Sequence, residues 1–112
     1  MDDVLLVRHA QDGDESAARQ LFDKYRLRTY RLALGLLGDG EDAEEVAQDA
    51  LTYALLNICR YKQELSSFST WLHTITVSRA RDKRRRKILP SISMGQWLGM
   101  GNQIRDHTPG PE

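Results

Sequence analysis

Residues 79–87 form a dense run of cations. Seven of these nine residues are arginine or lysine, and Asp82 is the one carboxylate among them. Guanidinium and ammonium groups bind phosphate oxygens, so the run could contact a polyanion. It could instead be the solvated end of a helix, where the helix dipole stabilises cations. Like charges three and four residues apart oppose helix formation, however, and a nucleic acid would offset that repulsion by counterion release, so we predict a nucleic-acid contact.

The residues before this run include aromatic side chains that could stack on unpaired bases. Phe68 and Trp71 share a helical face with Leu72 and Ile75, because the four recur at i, i+3, i+4 and i+7. We therefore favour a core position for both aromatics. Contacts to DNA are predicted for the outward side of the same helix, for the loop before it and for the basic end. These residues are Tyr61, Lys62, Glu64, Ser66, Ser67, His73, Thr74, Val77, Ser78, Arg81, Arg84, Arg85, Arg86 and Lys87.

Carboxylates are concentrated on a second predicted surface, earlier in the chain. Glu45, Gln48 and Asp49 recur at i, i+3 and i+4, and Glu41 lies one turn before them on the same helical face. Exposed carboxylates usually serve solubility. This spacing is more directional than solubility requires, so the face could meet an arginine-bearing helix of another protein.

The total charge conceals a segregation along the chain. The 112 residues hold 16 basic and 16 acidic side chains, which cancel. Residues 1–50 carry twelve acidic and six basic side chains, whereas the remainder carries four acidic and ten basic ones. We predict that the two groups lie on separate surfaces, one suited to a cationic protein and the other to a polyanion.

The sequence has no constellation typical of catalysis or metal binding. The one cysteine, Cys59, excludes an internal disulfide, and we expect it at the edge of the core. His9, His73 and His107 are too scattered to indicate a metal site or a catalytic triad. We expect no enzyme activity, no cofactor, no metal and no small-molecule substrate. The chain has no membrane-spanning apolar run and no signal peptide at its start, so we expect no membrane insertion and a cytoplasmic location.

Helical periodicity dominates and predicts an all-α fold, a compact bundle of about four helices. The first is expected over residues 3–11. The second follows the cap Asp14 and ends at residues 38–40, the third runs from Glu41 to about Ile58, and the fourth from Ser69 to Leu89, before Pro90. The expected buried stripes are Ala18, Leu21, Phe22, Tyr25, Thr29, Leu32, Ala33 and Leu36 in the second helix, and Ala43, Val46, Ala47, Ala50, Leu51, Ala54, Leu55 and Ile58 in the third. We divide the chain into a domain of residues 1–89 and a flexible linker of residues 90–112.

Three segments, taken in order, resemble one known family. The segments are EDAEEVAQD at residues 41–49, SSFSTWL at residues 66–72, and Asp82 followed by Arg85 and Arg86. Together they resemble region 2 of the extracytoplasmic-function (ECF) group of bacterial sigma factors, over about residues 3–87. The resemblance implies a subunit that binds core RNA polymerase and directs it to promoters.

The resemblance also implies a role for each surface. The face of Glu45, Gln48 and Asp49 would dock on the clamp helices of the polymerase β′ subunit. The loop of residues 61–67 would capture a base flipped out of the non-template strand of the promoter −10 element, and the helix from Thr70 onward would line the melted DNA. Flipping costs a few kcal/mol per base, so melting without ATP requires a pocket and a cationic track.

The chain departs from the family pattern in three respects. Ser78 stands where the family commonly has Asn near the −10 bases, and Leu65 lengthens the base-capturing loop by one residue. The family's second domain, the helix-turn-helix region 4, does not follow region 2. The chain is therefore expected to be either the first part of a longer sigma factor or a lone region 2. Trp97, Leu98 and Met100 of the linker could dock on the domain or on an anti-sigma protein.

One alternative function from another class remains open. The chain could be a protein-interaction module that an anti-sigma factor holds through its apolar surface, with DNA binding incidental. Co-purification with an inhibitor at high salt would favour this alternative, whereas promoter opening with core polymerase would favour the sigma-factor hypothesis.

Overall fold

The computed structural model describes residues 3–88, which form four α-helices and one short 3₁₀-helix. The α-helices are Asp3–Gln11 (α1), Glu15–Leu37 (α2), Gly40–Leu56 (α3) and Phe68–Ile88 (α4), and the 3₁₀-helix is Ile58–Arg60. The prediction of an all-α bundle is confirmed. The predicted linker of residues 90–112, its boundary at residue 89, and Trp97, Leu98 and Met100 lie outside the described residues.

Short polar residues and glycines set the helix boundaries. The Asp14 carboxylate accepts the backbone N–H of Ser16 at 2.9 Å and caps α2, as predicted. Gly38 ends α2 in the left-handed conformation, at φ 72°. The Asp39 carboxylate then accepts the N–H of Asp42 at 2.9 Å, so α3 begins at Gly40, one residue before the predicted start.

The end of α3 differs from the prediction. The helix stops at Leu56, because Asn57 occupies the C-cap and its side chain donates to the carbonyl of Tyr53 at 2.9 Å. Ile58, predicted as the last residue of the helix, instead opens the 3₁₀-helix and is buried there. The chain therefore turns away from α3 three residues before the loop that leads to α4.

The helices pack around two clusters of buried side chains. The larger cluster joins all four helices through Leu6 of α1, Leu21 of α2, Leu51 of α3, and Phe68 and Ile75 of α4. The smaller one consists of Ala33, Ala43, Val46 and Ala80, whose small side chains allow α2, α3 and α4 to approach closely. Most residues of the predicted stripes are buried or half-buried, and Ala17 is a buried residue that the prediction omitted.

Leu36 is an incorrect core prediction. Its side chain is exposed, whereas the next residue, Leu37, packs against the smaller cluster. Leu37 lies four residues after the buried Ala33, so it continues that face of the helix in the last turn. The stripe therefore ends on Leu37.

Aromatic rings connect the loop before α4 to α2. The Phe68 ring lies edge-on to the rings of Tyr25, at 5.4 Å between centroids, and Tyr61, at 5.8 Å. Trp71 contacts Tyr61 at 5.4 Å. Such aromatic pairs contribute about 0.5–1.5 kcal/mol beyond their buried area. The core position predicted for Phe68 is confirmed, and Trp71 is half-buried beside it. This cluster fixes where the loop meets the first turn of α4.

Within residues 3–88, no helix combines the length and the apolar character that crossing a membrane requires.

Candidate nucleic-acid and protein interfaces

An open groove of about 740 Å³ lies between α1 and the loop that precedes α4. Its lining includes four of the predicted DNA-binding residues: Tyr61, Lys62, Glu64 and Ser67. On the α1 side the groove is lined by Asp3, Val7, Arg8 and Gln11, among others. Both donors and acceptors therefore face one concave surface, which is an arrangement that can read the polar edge of a small planar ligand.

Hydrogen bonds hold the loop side of this groove in place. The Gln11 amide donates to the carbonyl oxygens of Ile58 at 2.9 Å and Tyr61 at 3.1 Å. The Tyr61 hydroxyl donates to the carbonyl of Ser66 at 2.7 Å, which closes the loop on itself. The groove is thus preformed, so a ligand would bind without first ordering the loop. Sequence reasoning missed Gln11, because nothing in the pattern of α1 distinguishes it from a surface glutamine.

Tyr61 is the least exposed of the predicted DNA-binding residues that line the groove. Its side chain is only 7% exposed and packs on Phe68 and Trp71, so it forms part of the groove wall and does not extend toward solvent. Burial raises the pKa of the Tyr61 hydroxyl, and the nearby Glu64 carboxylate raises it further. The Tyr61 hydroxyl therefore stays protonated and keeps donating to Ser66 at neutral pH.

Asp3, at the edge of the groove, forms hydrogen bonds to two residues of α2. The Asp3 carboxylate accepts hydrogen bonds from Tyr25 and from Lys24. Burial and the bond to Asp3 raise the pKa of Tyr25 to about 12. Burial alone would raise the pKa of Asp3, but the hydrogen bonds from Lys24 and Tyr25 outweigh it and hold that pKa below its usual range. The start of α1 is thereby fastened to the middle of α2.

The outward face of α4 carries most of the remaining predicted DNA-binding residues. Each residue advances about 100° around a helix, so seven of them share the side opposite the buried Leu72 and Thr76. The seven are His73, Thr74, Val77, Ser78, Arg81, Arg84 and Arg85. We call this surface the α4 outer face.

The cations of α4 differ in what they contact. Arg81, Arg84 and Arg86 are exposed and form no ion pair with any residue in the range 3–88. Arg85 lies 3.6 Å from the Asp82 carboxylate. Arg81 and Arg84 are thus available to a phosphate on the α4 outer face, and Arg86 is available on a neighbouring side of the same helix end.

Four ion pairs connect α3 to α4 and contradict the predicted charge segregation. Lys87 lies 2.6 Å from Asp42, and Arg79 lies 3.5 Å from Asp49. Lys83 lies 2.7 Å from Glu45 and 3.9 Å from Asp42. The cause is the packing: α3 and α4 run antiparallel, so residues at i, i+4 and i+8 of α4 face acidic residues of α3 in reverse order. The prediction of fully separate surfaces is therefore wrong along this row, which we call the α3–α4 ion pairs.

Two further observations characterise the α3–α4 ion pairs. The hydrogen bond to Asp42 raises the pKa of Lys87, which keeps that ammonium group charged. The Arg79 guanidinium also stacks 4.6 Å from the centroid of the Tyr53 ring, and its Nε atom is buried without a hydrogen-bond partner. Arg79 is therefore fixed to α3. A negatively charged ligand could compete for Lys83 and Lys87 with their carboxylate partners on α3.

The predicted protein-binding residues do share one face of α3. Glu41, Glu45, Gln48 and Asp49 are all exposed on the side away from the buried alanines. Gln48 donates to Glu44 at 3.0 Å, and Glu44 itself lies 3.8 Å from Arg26 of α2. Two of the four, Glu45 and Asp49, also belong to the α3–α4 ion pairs. Within residues 3–88, the face therefore carries acidic groups with an ion pair, Glu45 and Asp49, and one without, Glu41.

The last residues considered in the sequence analysis are Cys59, which was expected at the edge of the core, and the histidines. Cys59 is exposed and lines the groove, with its Sγ 3.6 Å from the carbonyl of Gln11, so the prediction that it lies at the core edge is wrong. The cause is the 3₁₀-helix, which turns Ile58 inward in its place. His9 is exposed on α1, and His107 lies outside the described residues. In the part of the chain that the structure describes, no group of three or more His, Cys, Asp or Glu residues is placed to hold a metal ion.

Comparison with known proteins places this geometry in a family. The sequence matches the model of sigma-70 region 2 over residues 21–88, which include most of α2 and all of α3 and α4. The chain belongs to the sigma-70 region 2 family. It is a region 2 domain of the ECF sigma-factor type.

Curated relatives agree on this type. The chain is 32% identical over 81 residues to the ECF RNA polymerase sigma factor SigW of Bacillus subtilis (strain 168), a match of 72% of this chain and 43% of the relative. It is 34% identical over 85 residues to ECF sigma factor SigM of Mycobacterium tuberculosis (strain ATCC 25618 / H37Rv), covering 76% and 42%. It is 31% identical over 80 residues to RNA polymerase sigma-H factor of Pseudomonas aeruginosa, covering 71% and 41%. The chain thus spans less than half the length of these relatives, and no solved structure matches it.

Proposed function

We propose that this region 2 domain binds core RNA polymerase through α3 and binds the single-stranded −10 element of a promoter through the groove and the α4 outer face. The docking residues on α3 are Glu41, Glu45, Gln48 and Asp49, and their target is the β′ clamp helices. The groove receives one base flipped out of the non-template strand. By binding the open strand and not the closed duplex, the domain favours promoter melting.

The observation that carries this proposal is that the groove reaches the first turn of α4, the helix that bears the α4 outer face. Ser67 and Ser69 line the groove and flank the first residue of α4, so a strand leaving the groove meets that helix directly. A flipped base costs a few kcal/mol of lost stacking and pairing. The preformed groove replaces the lost contacts, and the exposed cations Arg81 and Arg84 offset the charge of the backbone phosphates.

Docking on polymerase is supported by the charge and exposure of α3. Carboxylates on one exposed face complement an arginine-bearing helix, and arginine can bind each carboxylate through two hydrogen bonds. Glu45 is already paired with Lys83, yet the Glu45 side chain remains 63% exposed. Exposed ion pairs contribute only about 0–1 kcal/mol, so a partner arginine can replace Lys83 at small cost.

Two sets of charge substitutions test the proposal with opposite expected results. Glu45→Lys with Asp49→Lys should weaken binding to core polymerase and leave the affinity for single-stranded DNA nearly intact. Arg81→Ala, Arg84→Ala and Arg86→Ala together should lower the salt dependence of single-strand binding by up to about 0.7 in log–log slope per lost contact, while polymerase binding persists. Equal effects of both sets on both ligands would refute the division of labour.

A second candidate partner is an anti-sigma protein that binds apolar surface. Leu56, at the end of α3, is 80% exposed, and the half-buried Phe22 and Leu55 line a shallow groove between α2 and α3. Such side chains could bury against a partner. Leu56→Glu should then weaken capture by a purified anti-sigma protein at high salt and leave DNA binding unchanged. If Leu56→Glu leaves capture unchanged, this surface is not the anti-sigma site.

A further inference from the structure

A second concave surface lies between α2 and α4, next to the groove but separate from it. This α2–α4 cleft has a volume of about 250 Å³, and its lining includes Arg28 and Leu32 of α2 and Ser69, Leu72 and His73 of α4. Ser69 lines both the cleft and the groove. A strand with a base in the groove would therefore carry a backbone phosphate close to the mouth of this cleft.

Arg28 is held ready in this cleft. Its guanidinium lies 5.1 Å from the centroid of the Tyr25 ring, and its Nη1 donates to the hydroxyl of Ser69 at 3.2 Å. A guanidinium has five N–H donors, and this contact uses one of them. Because the side chain is fixed by stacking and by Ser69, little rotamer entropy remains to be lost when a ligand binds.

Arg28 forms no ion pair within residues 3–88. It does interact electrostatically with Asp3, but that carboxylate is already bonded to Lys24 and Tyr25. The hydroxyl of Ser69 accepts from Arg28, which leaves its own proton free to donate. His73 adds an exposed ring N–H on the cleft side of α4. Three donor side chains, one of them positively charged and without an ion pair in residues 3–88, thus line a single small cleft.

On the basis of the function proposed above, we propose that the α2–α4 cleft binds one backbone phosphate of the single strand, through Arg28, Ser69 and His73. The ligand class is a phosphodiester anion, because the donors are all N–H or O–H groups and the charge is positive. The site extends the DNA contact from α4 onto α2, where no residue was predicted to bind DNA. It would fix the position of the strand at the groove and would carry no sequence preference of its own.

The test uses Arg28→Gln, which removes the charge and keeps a polar side chain. The full 112-residue chain would be titrated with a fluorescent single-stranded oligonucleotide between 50 and 200 mM salt, alone and with core polymerase. Loss of one phosphate contact lowers the log–log salt slope by about 0.7, so the loss of affinity over this range should be about 2.5-fold smaller than in the wild type. Arg28→Lys should keep the slope, because it keeps the charge.

Arg19→Ala is the matched control, because Arg19 is also an exposed arginine of α2 but lines the shallow groove beside Phe22 and Leu55. It should leave the slope unchanged. Replacing single phosphates of the oligonucleotide with neutral methylphosphonates adds a positional readout. At one position, the neutral linkage should weaken binding of the oligonucleotide to the wild type but not to Arg28→Gln.

The outcomes separate this inference from the proposed function. An unchanged slope in Arg28→Gln, together with a lowered slope in the Arg81, Arg84 and Arg86 variant, would overturn the phosphate site and leave the proposed function standing. If neutral linkages reduce affinity equally in wild type and Arg28→Gln, the site is also overturned. A wild-type chain that binds no single strand, alone or with core polymerase, would overturn both.

Discussion

Replacing Lys83 with methionine should strengthen binding to core RNA polymerase, although it removes a favourable contact. In the structure the Lys83 ammonium group lies 2.7 Å from Glu45 and 3.9 Å from Asp42. A polymerase arginine that binds Glu45 must share this carboxylate with Lys83 or displace it. The methionine side chain keeps the packed stem of Lys83, which is only 20% exposed, and removes the competing charge.

The size of the effect follows from the exposure of the pair. Exposed ion pairs contribute about 0.2–1 kcal/mol, and the low exposure of Lys83 places this pair near the upper value. Lys83→Met should therefore lower the free energy of unfolding by up to about 1 kcal/mol. It should raise the affinity for polymerase by up to about fivefold, the factor that corresponds to the same free energy.

Fluorescence anisotropy of the labelled chain with core polymerase measures the affinity, and urea unfolding measures the stability. Lys62→Met is the matched control, because Lys62 is an exposed lysine of the groove and lies away from α3. It should leave polymerase binding unchanged. In the double variant Lys83→Met with Glu45→Gln, the gain should disappear. If Lys83→Met leaves polymerase binding unchanged or weakens it, Glu45 is not part of the docking face.

Three further predictions concern the groove and its support. Gln11→Leu removes the two hydrogen bonds to the carbonyls of Ile58 and Tyr61. The affinity for a single strand should therefore fall at least several-fold, and backbone hydrogen exchange in the loop of residues 61–67 should become faster. Unchanged exchange would contradict the role of Gln11 in holding the loop. Cys59 should be alkylated readily in the free chain and slowly when a single strand occupies the groove, whereas a duplex should give little protection. The pKa of Tyr25 is raised from its ordinary value of 10.0 to about 12, so the stability it contributes is complete below pH 10 and is lost as the pH rises toward 12. Asp3→Asn should lower the pKa of Tyr25. The titration is followed by phenolate absorbance, with Tyr25→Phe as the reference that identifies the Tyr25 signal. An unchanged midpoint would contradict the effect of Asp3 on Tyr25.

The helices could be predicted because their signals are local. Asp14 and Gly38 determine the ends of α2 through their own side chain or backbone, and the spacing of Glu45, Gln48 and Asp49 places them on one face whatever α3 packs against. Leu36 shows the limit of this reasoning, since a stripe continued by period alone cannot tell it from Leu37 in the last turn.

The parts of the site that could not be predicted depend on packing between distant segments. The α3–α4 ion pairs require the antiparallel alignment of two helices, and residues 30 to 45 positions apart in sequence meet there. Gln11 reaches Tyr61 across 50 positions, and Arg28 reaches Ser69 across 41. A pattern read along one helix contains no information on such contacts. The prediction of separated charges was wrong for this reason, because it added charges along the chain without placing the helices beside each other.

Photocrosslinking of a single strand in the complex with core polymerase tests the central claim most directly. Oligonucleotides of the non-template −10 strand with a photoreactive base at successive positions would be bound to the complex, irradiated and mapped to peptides of this chain. We expect one position to crosslink to residues 61–67 and its neighbours to the α4 outer face, with none on α3. Crosslinks on the face of Glu41, Glu45, Gln48 and Asp49, or none on the chain while polymerase remains bound, would contradict the account.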